Sequence, residues 1–368
     1  MIPYVRDIQF DYGACDQVSP LIRRVVANNP GPFTFKGTGT YIVGRGEVAV
    51  IDPGPDMADH LAAILKATEG ETITHILITH HHSDHSPLAG PLKAATGATI
   101  YGCAVAGHEE DDTGEVKMEA GHDHDFRPDV SLCGGGGVSG PGWTMEAIPT
   151  PGHTSNHLCY ALQQENCLFS GDHIMGWSTT VITPPDGDMS DYLASLHLIR
   201  ARNFDVLWPT HGPPILKVAP FIDAYIAHRH DRANQILTAL KAGPGRINDL
   251  VPRLYADVDS RLWPAAARSM LAAMIYLTRE GKIVDSGAGG PDAEYKLASG
   301  GAERLAVAQK ELRRLGRTQR CWSISAGTRP CPGPGRIRPR RCRRRCRRAR
   351  RASLDRRLEL DKHGVLDP

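Results

Sequence analysis

Residues 73–79 form a short apolar run with β-branched members, which predicts a buried strand. The run leads straight into Thr79-His80-His81-His82-Ser83-Asp84-His85. Four groups able to ligate a metal, His80, His82, Asp84 and His85, fall within six residues. Neutral imidazole and carboxylate are donors that Zn²⁺ takes at about 2.0–2.2 Å. Side chains two apart on an extended segment point the same way, so His80 and His82 can reach one ion. If the chain turns into a helix after His82, Asp84 and His85 swing towards a second. A solvated histidine-rich loop is the plain alternative. The embedded Asp84 and the strand ahead of the motif argue against it.

The surrounding pattern alternates strands with helices. Residues 41–43 and 48–51 read as strands joined by a Gly44-Arg45-Gly46 turn. Residues 59–67 read as a helix ending near Gly70. Strand-like segments recur at 145–148, 158–162, 168–170 and 204–208, with a helix over 191–202 that Ser190 is expected to cap. This alternation fits a layered α/β body. A long helix over about 220–241, stopped by Gly243-Pro244-Gly245, opens a second region. Helical patterns at 247–255 and 265–280 and a strand pair at 281–285 and 294–297 give that region a winged-helix-like plan. The expected division is a catalytic domain at 1–219, a winged-helix-like domain at 220–297 and a tail at 298–368.

Charge sets the tail apart. Residues 1–300 hold 22 Lys and Arg against 35 Asp and Glu, a balance of −13, whereas 301–368 hold 21 against 6, a balance of +15. Residues 336–357 carry 13 arginines in 22 positions, too little apolar surface to fold alone, so the tail is expected to be disordered. It reads either as a basic arm that lends affinity for polyanions or as a non-native extension from a shifted reading frame. The second is preferred, because Cys342 and Cys346 have no evident job among arginines. No apolar run approaches the ~20 residues of a membrane span, and residues 1–7 lack a basic-then-apolar leader. No membrane partner and a cytoplasmic location are therefore expected. Cys15, Cys103, Cys133, Cys159 and Cys167 show no metal or disulfide spacing and are expected to be buried thiols.

The histidine motif resembles the H-x-H-x-D-H signature of the metallo-β-lactamase superfamily, and further pieces follow in that family's order. Asp52, in Val50-Ile51-Asp52-Pro53-Gly54, resembles its early structural aspartate. His153, in Pro151-Gly152-His153-Thr154, is similar to its third metal histidine. Asp172, in Phe169-Ser170-Gly171-Asp172, is similar to the bridging carboxylate, and His211, in Trp208-Pro209-Thr210-His211-Gly212, to the last ligand. A lone Gly-His or Gly-Asp pair is usually a turn, but five pieces in order across residues 50–212 are specific. The resemblance implies an αββα sandwich with two Zn²⁺ per chain. His80, His82 and His153 would hold one ion, Asp84, His85 and His211 the other, and Asp172 would bridge. In such centres ions about 3.5–4 Å apart share a water and supply hydroxide at neutral pH. Asp84 could additionally shuttle the proton, although a metal-bound carboxylate is a poor base. Aspartate at 172 resembles the hydrolase branch, since true β-lactamases commonly carry cysteine there.

Residues 171–180, with the region after 220, resemble the group that includes the animal beta-lactamase-like protein 2. There a winged-helix-like domain follows the catalytic one, and the animal member is a single-strand-specific endoribonuclease. This resemblance covers about residues 20–297 and implies phosphodiester cleavage of single-stranded RNA. Two alternatives stand beside it. One is hydrolysis of a small thioester or ester, as in the hydroxyacylglutathione hydrolases, which share the metal motif. The other is a winged-helix nucleic-acid-binding regulator with a vestigial metallo-domain, which the intact ligand set opposes. The acidic body counts against tight polyanion binding, which needs clustered Lys and Arg, and so keeps the ester open.

Weaker features carry two readings each. His157 and His173 stand near ligands, either to orient them or to pack. His228, Arg232 and Gln235 share helical spacing and either meet a phosphate or face solvent, the second being favoured. Ser178, Thr179 and Thr180 line a pocket or form a plain loop. Glu109-Glu110-Asp111-Asp112 beside His108 lacks metal-site spacing and reads as a solvated face.

Overall fold

The computed structural model describes residues 1–104, 121–256, 258–287 and 289–298. The acidic run 108–112 and the basic tail, including Cys342 and Cys346, lie outside the described residues.

Seven strands make the first sheet in chain order: β1 (Cys15–Gln17), β2 (Ile22–Val26), β3 (Gly39–Arg45), β4 (Glu47–Ile51), β5 (Thr72–Leu77), β6 (Thr99–Gly102) and β7 (Val130–Ser131). β1 to β4 form an antiparallel meander, and β4 to β7 pair in parallel. The second sheet comprises β8 (Gly136–Gly140), β9 (Trp143–Pro149), β10 (Leu158–Leu162), β11 (Cys167–Gly171) and β12 (Val206–Pro209). Only its β11–β12 pair is parallel.

Period-two burial explains the layering. From β3 and β4, Tyr41, Val43, Ala49 and Ile51 pack with Met145, Tyr160 and Phe169 of the second sheet. The alternate residues Ile42, Val48 and Val50 pack with Ile64 and Leu92, from α1 (Ala58–Ala67) and α2 (Ala89–Thr96). Ile148, Cys159, Ala161 and Leu168 on the outer face of the second sheet meet Tyr192 and Leu196 of α3 (Met189–Arg200) and Phe221, Ile222 and Tyr225 of α4 (Val218–Leu240). The order of layers is the expected αββα sandwich.

α4 continues past the sandwich. Its later residues Ala233, Ile236 and Leu240 join another core with α5 (Ile247–Leu254), α6 (Trp263–Arg279) and a small sheet in the order β13 (Gly245–Arg246), β15 (Glu294–Leu297), β14 (Ile283–Asp285). Helices followed by an antiparallel strand pair form the winged-helix module read from the sequence.

Two expectations are corrected. Asp188, not Ser190, caps α3: its carboxylate accepts from the Ser190 and Asp191 backbone N–H groups at 2.8 and 3.2 Å. Asp and Ser are interchangeable as caps by sequence alone, and the chain enters the helix two residues earlier than the pattern suggested. Cys103 and Cys133 form a disulfide. They follow the neighbouring strands β6 and β7, an adjacency that a spacing of 30 residues does not reveal. Cys159 and Cys167 are buried thiols as expected, whereas Cys15 is exposed.

Candidate metal centre

All seven predicted ligands meet at one end of the two sheets, on the segments leaving β5, β9, β11 and β12. Donor atoms of His80, His82 and His153 lie within 4.8 Å of one another, and so do those of Asp84, His85 and His211. In the first group the Nδ1 atom of His82 is 3.0 Å from His80 Nε2 and 3.2 Å from His153 Nε2. In the second, Asp84 Oδ2 is 3.1 Å from His211 Nε2, and Asp84 Oδ1 is 3.6 Å from His85 Nε2. Asp172 reaches both groups. Its Oδ2 stands 3.8 Å from His153 Nε2 and 3.6 Å from His85 Nε2, and its Oδ1 stands 3.5 Å from His211 Nε2.

Local backbone explains why these residues converge. No helix begins directly after His82. A tight turn closed by the His85 N–H on the His82 carbonyl, at 3.0 Å, carries Asp84 and His85 across, and α2 starts only at Ala89. Gly152 precedes His153 with φ +138°, and a Cβ there would fall 2.3 Å from the Tyr192 Cα. Gly171 precedes Asp172 with φ +52°, and a Cβ there would fall 2.6 Å from His157 Nε2. Both ligands therefore require glycine before them, so the Gly-His and Gly-Asp pairs are more than ordinary turns.

A shell of acceptors fixes the rings. Asp52 is fully buried at φ +46°. It accepts from Thr79 N–H at 2.8 Å, Thr79 Oγ1 at 2.7 Å, Thr210 Oγ1 at 2.9 Å and His85 Nδ1 at 2.9 Å. His153 gives Nδ1–H to the Val181 carbonyl at 2.7 Å, and His211 gives its own to the Gly37 carbonyl at 3.2 Å. Each anchored ring turns the lone pair of Nε2 inward, the arrangement of a metal-ligating histidine. His157 accepts the Asp172 backbone N–H on Nε2 at 3.2 Å, so it orients the bridging candidate. His173 packs on the Tyr192 ring, and burial pulls its pKa down to about 3.

The electrostatics of the two groups differ. Burial and neighbouring imidazoles hold the His80 and His82 pKa values well below the ordinary range. Burial also opposes charge on His85 and His211, yet Asp84 and Asp172 overcome it and raise both. Those imidazoles in turn lower the carboxyls of Asp84 and Asp172 against the pull of burial. Asp84 Oδ1, His85 Nε2, Asp172 Oδ1 and His211 Nε2 are buried without a hydrogen-bond partner. Inward-facing buried donors and acceptors left unpaired are costly, and divalent cations are what this set of imidazoles and carboxylates fits.

The sequence carried no signal for several supporting groups. Arg229 is buried, and its Nη2 donates to the Thr180 carbonyl, while the Thr180 hydroxyl donates to the Asp172 carbonyl at 2.8 Å. Tyr225 donates to the carbonyls of Met175 and Ser178. These contacts brace residues 172–180 from α4. Ser178 and Thr179 line a cavity of about 360 Å³ together with His228, Arg229 and Arg232, whereas Thr180 is buried as a brace.

Comparison with known proteins decides the family. A profile of the metallo-beta-lactamase superfamily matches residues 34–211, and one of the beta-lactamase associated winged helix domain matches residues 247–290. A beta-lactamase-like protein 2 homolog from Caenorhabditis elegans is 32% identical over 73% of this chain and 88% of its own. The chain belongs to the metallo-beta-lactamase superfamily. It is a hydrolase of that fold. The Drosophila melanogaster beta-lactamase-like protein 2 homolog is 31% identical over 73% of this chain and 92% of its own. An atrochrysone carboxyl ACP thioesterase from Cryptosporiopsis sp. is 30% identical over 61% of this chain and 65% of its own. A beta-lactamase domain protein from Burkholderia ambifaria shares the fold, with a TM-score of 0.66 at 20% identity over 79% of this chain and 96% of its own.

Proposed function

We propose that the chain is a dinuclear zinc hydrolase of an acyl thioester or ester. In this reading His80, His82 and His153 hold one ion, Asp84, His85 and His211 the other, and Asp172 spans both. The observation that carries the substrate class is the 360 Å³ cavity. Its wall includes Met175, Trp177 and Val181, and the Val181 carbonyl is the one that anchors His153. Phe33, Leu193, Ile236 and Tyr255 make most of the rest apolar or aromatic. The two arginines along it have neutral partners and, among the described residues, no carboxylate. Arg229 serves Thr180, and Arg232 lies over the Tyr255 ring at 4.5 Å while donating to Gln235 and the Leu254 carbonyl. Burial brings His228 down to about 4, so it is neutral at pH 7. A largely apolar slot of this kind suits an acyl group, whereas a phosphate backbone needs clustered Lys and Arg and would find only Arg229 and Arg232 here. The name of the fungal thioesterase relative agrees.

Bound zinc supplies a water of lowered pKa and a Lewis acid for the carbonyl. The protein's own part is positioning. Asp52, Val181 and Gly37 hold the imidazoles in one tautomer, and His157 holds Asp172. In this reading Asp84, whose Oδ1 is buried without a hydrogen-bond partner, would also take the proton, although a metal-bound carboxylate is a poor base.

Single-stranded RNA, ranked first from the sequence, becomes the second reading. The beta-lactamase-like protein 2 relatives and the winged-helix module favour it, and Phe33, Trp177 and Tyr255 could stack bases. A cytoplasmic location belongs to the proposal under either substrate. Among the described residues no helix is long and apolar enough to cross a membrane. Turnover of an acyl-glutathione and of an RNA oligomer by equal amounts of the zinc-loaded chain is the test. Acyl hydrolysis with RNA intact is expected; RNA cleavage with the thioester intact restores the original order.

A further inference from the structure

A second group of donors lies outside the seven-residue centre. His81, His122 and Asp186 offer ligand atoms within 4.8 Å of one another. His81 sits between His80 and His82 in sequence, but its side chain joins neither of their donor groups. Its ring stacks on His122, with centroids 4.6 Å apart and planes 18° from parallel. Backbone pairing holds that register. Asp123 N–H donates to the His81 carbonyl and Ser83 N–H to the Gly121 carbonyl, both at 2.7 Å.

The hydrogen bonds prepare His81 as a ligand. Asn156 gives its amide N–H to the Cys103 carbonyl at 2.8 Å, which turns its Oδ1 towards His81 Nδ1 at 3.0 Å. The same Oδ1 accepts from Thr154 Oγ1 at 2.9 Å. The proton of His81 therefore sits on Nδ1, and Nε2 keeps a lone pair. A metal-ligating histidine is held in this way, with its other nitrogen donating to a fixed acceptor. Asp186 accepts the Ser155 N–H on Oδ1 at 3.2 Å, and its Oδ2 is buried without a hydrogen-bond partner. Ligands at about 2.0–2.2 Å from a tetrahedral ion stand roughly 3.5 Å apart, a spacing compatible with three donors that all lie within 4.8 Å of one another. His122 is exposed and Asp186 half-buried, so the group is open to solvent on that side.

We propose that His81, His122 and Asp186 form a third site for Zn²⁺, with water completing the coordination. Two imidazoles and one carboxylate are zinc donors, whereas Mg²⁺ and Ca²⁺ take mainly oxygen. The site fills after the central pair, because it has only three protein ligands and one of them is exposed. An ion there ties the strand end bearing His80 and His82 to the 181–186 segment, whose Val181 carbonyl anchors His153.

The test counts metal. The stripped full chain, His122→Ala and Asp186→Ala are each dialysed against free Zn²⁺ from nanomolar to tens of micromolar, and zinc per chain is measured. The wild type should bind one more ion per chain at saturation than either variant, and that ion should load last. Near-UV circular dichroism matching the wild type establishes that the variants are folded. Chelator release of the remaining zinc should be faster from the variants than from the fully loaded wild type. Equal zinc uptake by the wild type and by either folded variant across the series overturns the site. Failure of the central pair would lower all three counts together, so the difference between wild type and variant reports the third site alone.

Discussion

The donor centre and the winged-helix module are both buried, for opposite reasons. The centre is a knot of titratable groups in which Asp52 alone accepts four hydrogen bonds. The module is built on an apolar core in which Ile236, Met270, Leu277 and Tyr295 pack together. One region is specified by donor identity and the other by volume and periodicity. Substitutions should therefore separate chemistry from stability.

The largest effect belongs to the residue that touches both donor groups. Asp172→Ala should lower turnover by orders of magnitude while leaving the circular dichroism spectrum intact. Near-wild-type turnover at saturating zinc would remove Asp172 from its bridging role. Asp52→Asn should act one step away. Loss of an outer-shell partner typically costs 10–100-fold in metal affinity, roughly, and chelator competition reads it. Unchanged affinity would make Asp52 purely a folding residue.

In the module the expectation inverts. Leu277 is fully buried on α6, so Leu277→Ala should cost about 2–5 kcal/mol in denaturant unfolding. Zinc content should not change. Zinc loss matching the loss of stability would show that the two regions are not separable. His228→Ala should cost far less than Asp172→Ala, because His228 lines the cavity but joins none of the donor groups. Under the acyl reading it should move KM more than kcat. A fall in kcat as large as that of Asp172→Ala would place His228 in the chemistry.

The smallest effect is expected beyond residue 299. Truncation after Ser299 should leave folding, zinc content and turnover of a small substrate unchanged, and reduce only salt-sensitive polyanion binding. Loss of soluble, zinc-loaded protein would make the tail part of the fold.

The same contrast explains what was legible in the sequence. Imidazole and carboxylate at short spacing announce themselves, so His80, His82, Asp84 and His85 were readable locally. His153, Asp172 and His211 needed the family order, because each stands alone in its segment. Apolar periodicity also gave β4, α4 and α6 to within two residues at each end, and the middle of β3. Adjacency between distant segments was not written in any local pattern. The Cys103–Cys133 pair, the brace from Arg229 to Thr180 and the hold of Asn156 on His81 all depend on which strands and helices become neighbours. The cavity was invisible for the same reason, since its wall combines residues from Tyr4 to Tyr276. That cavity changed the preferred substrate.

Elemental analysis of the purified chain, dialysed at nanomolar free zinc so that only the tightest sites stay filled, tests the central claim most directly. Seven converging ligands, four of them with buried unpaired atoms, predict close to two zinc ions per chain. Well under one divalent ion per chain, with no gain when Zn²⁺ is added, would contradict it.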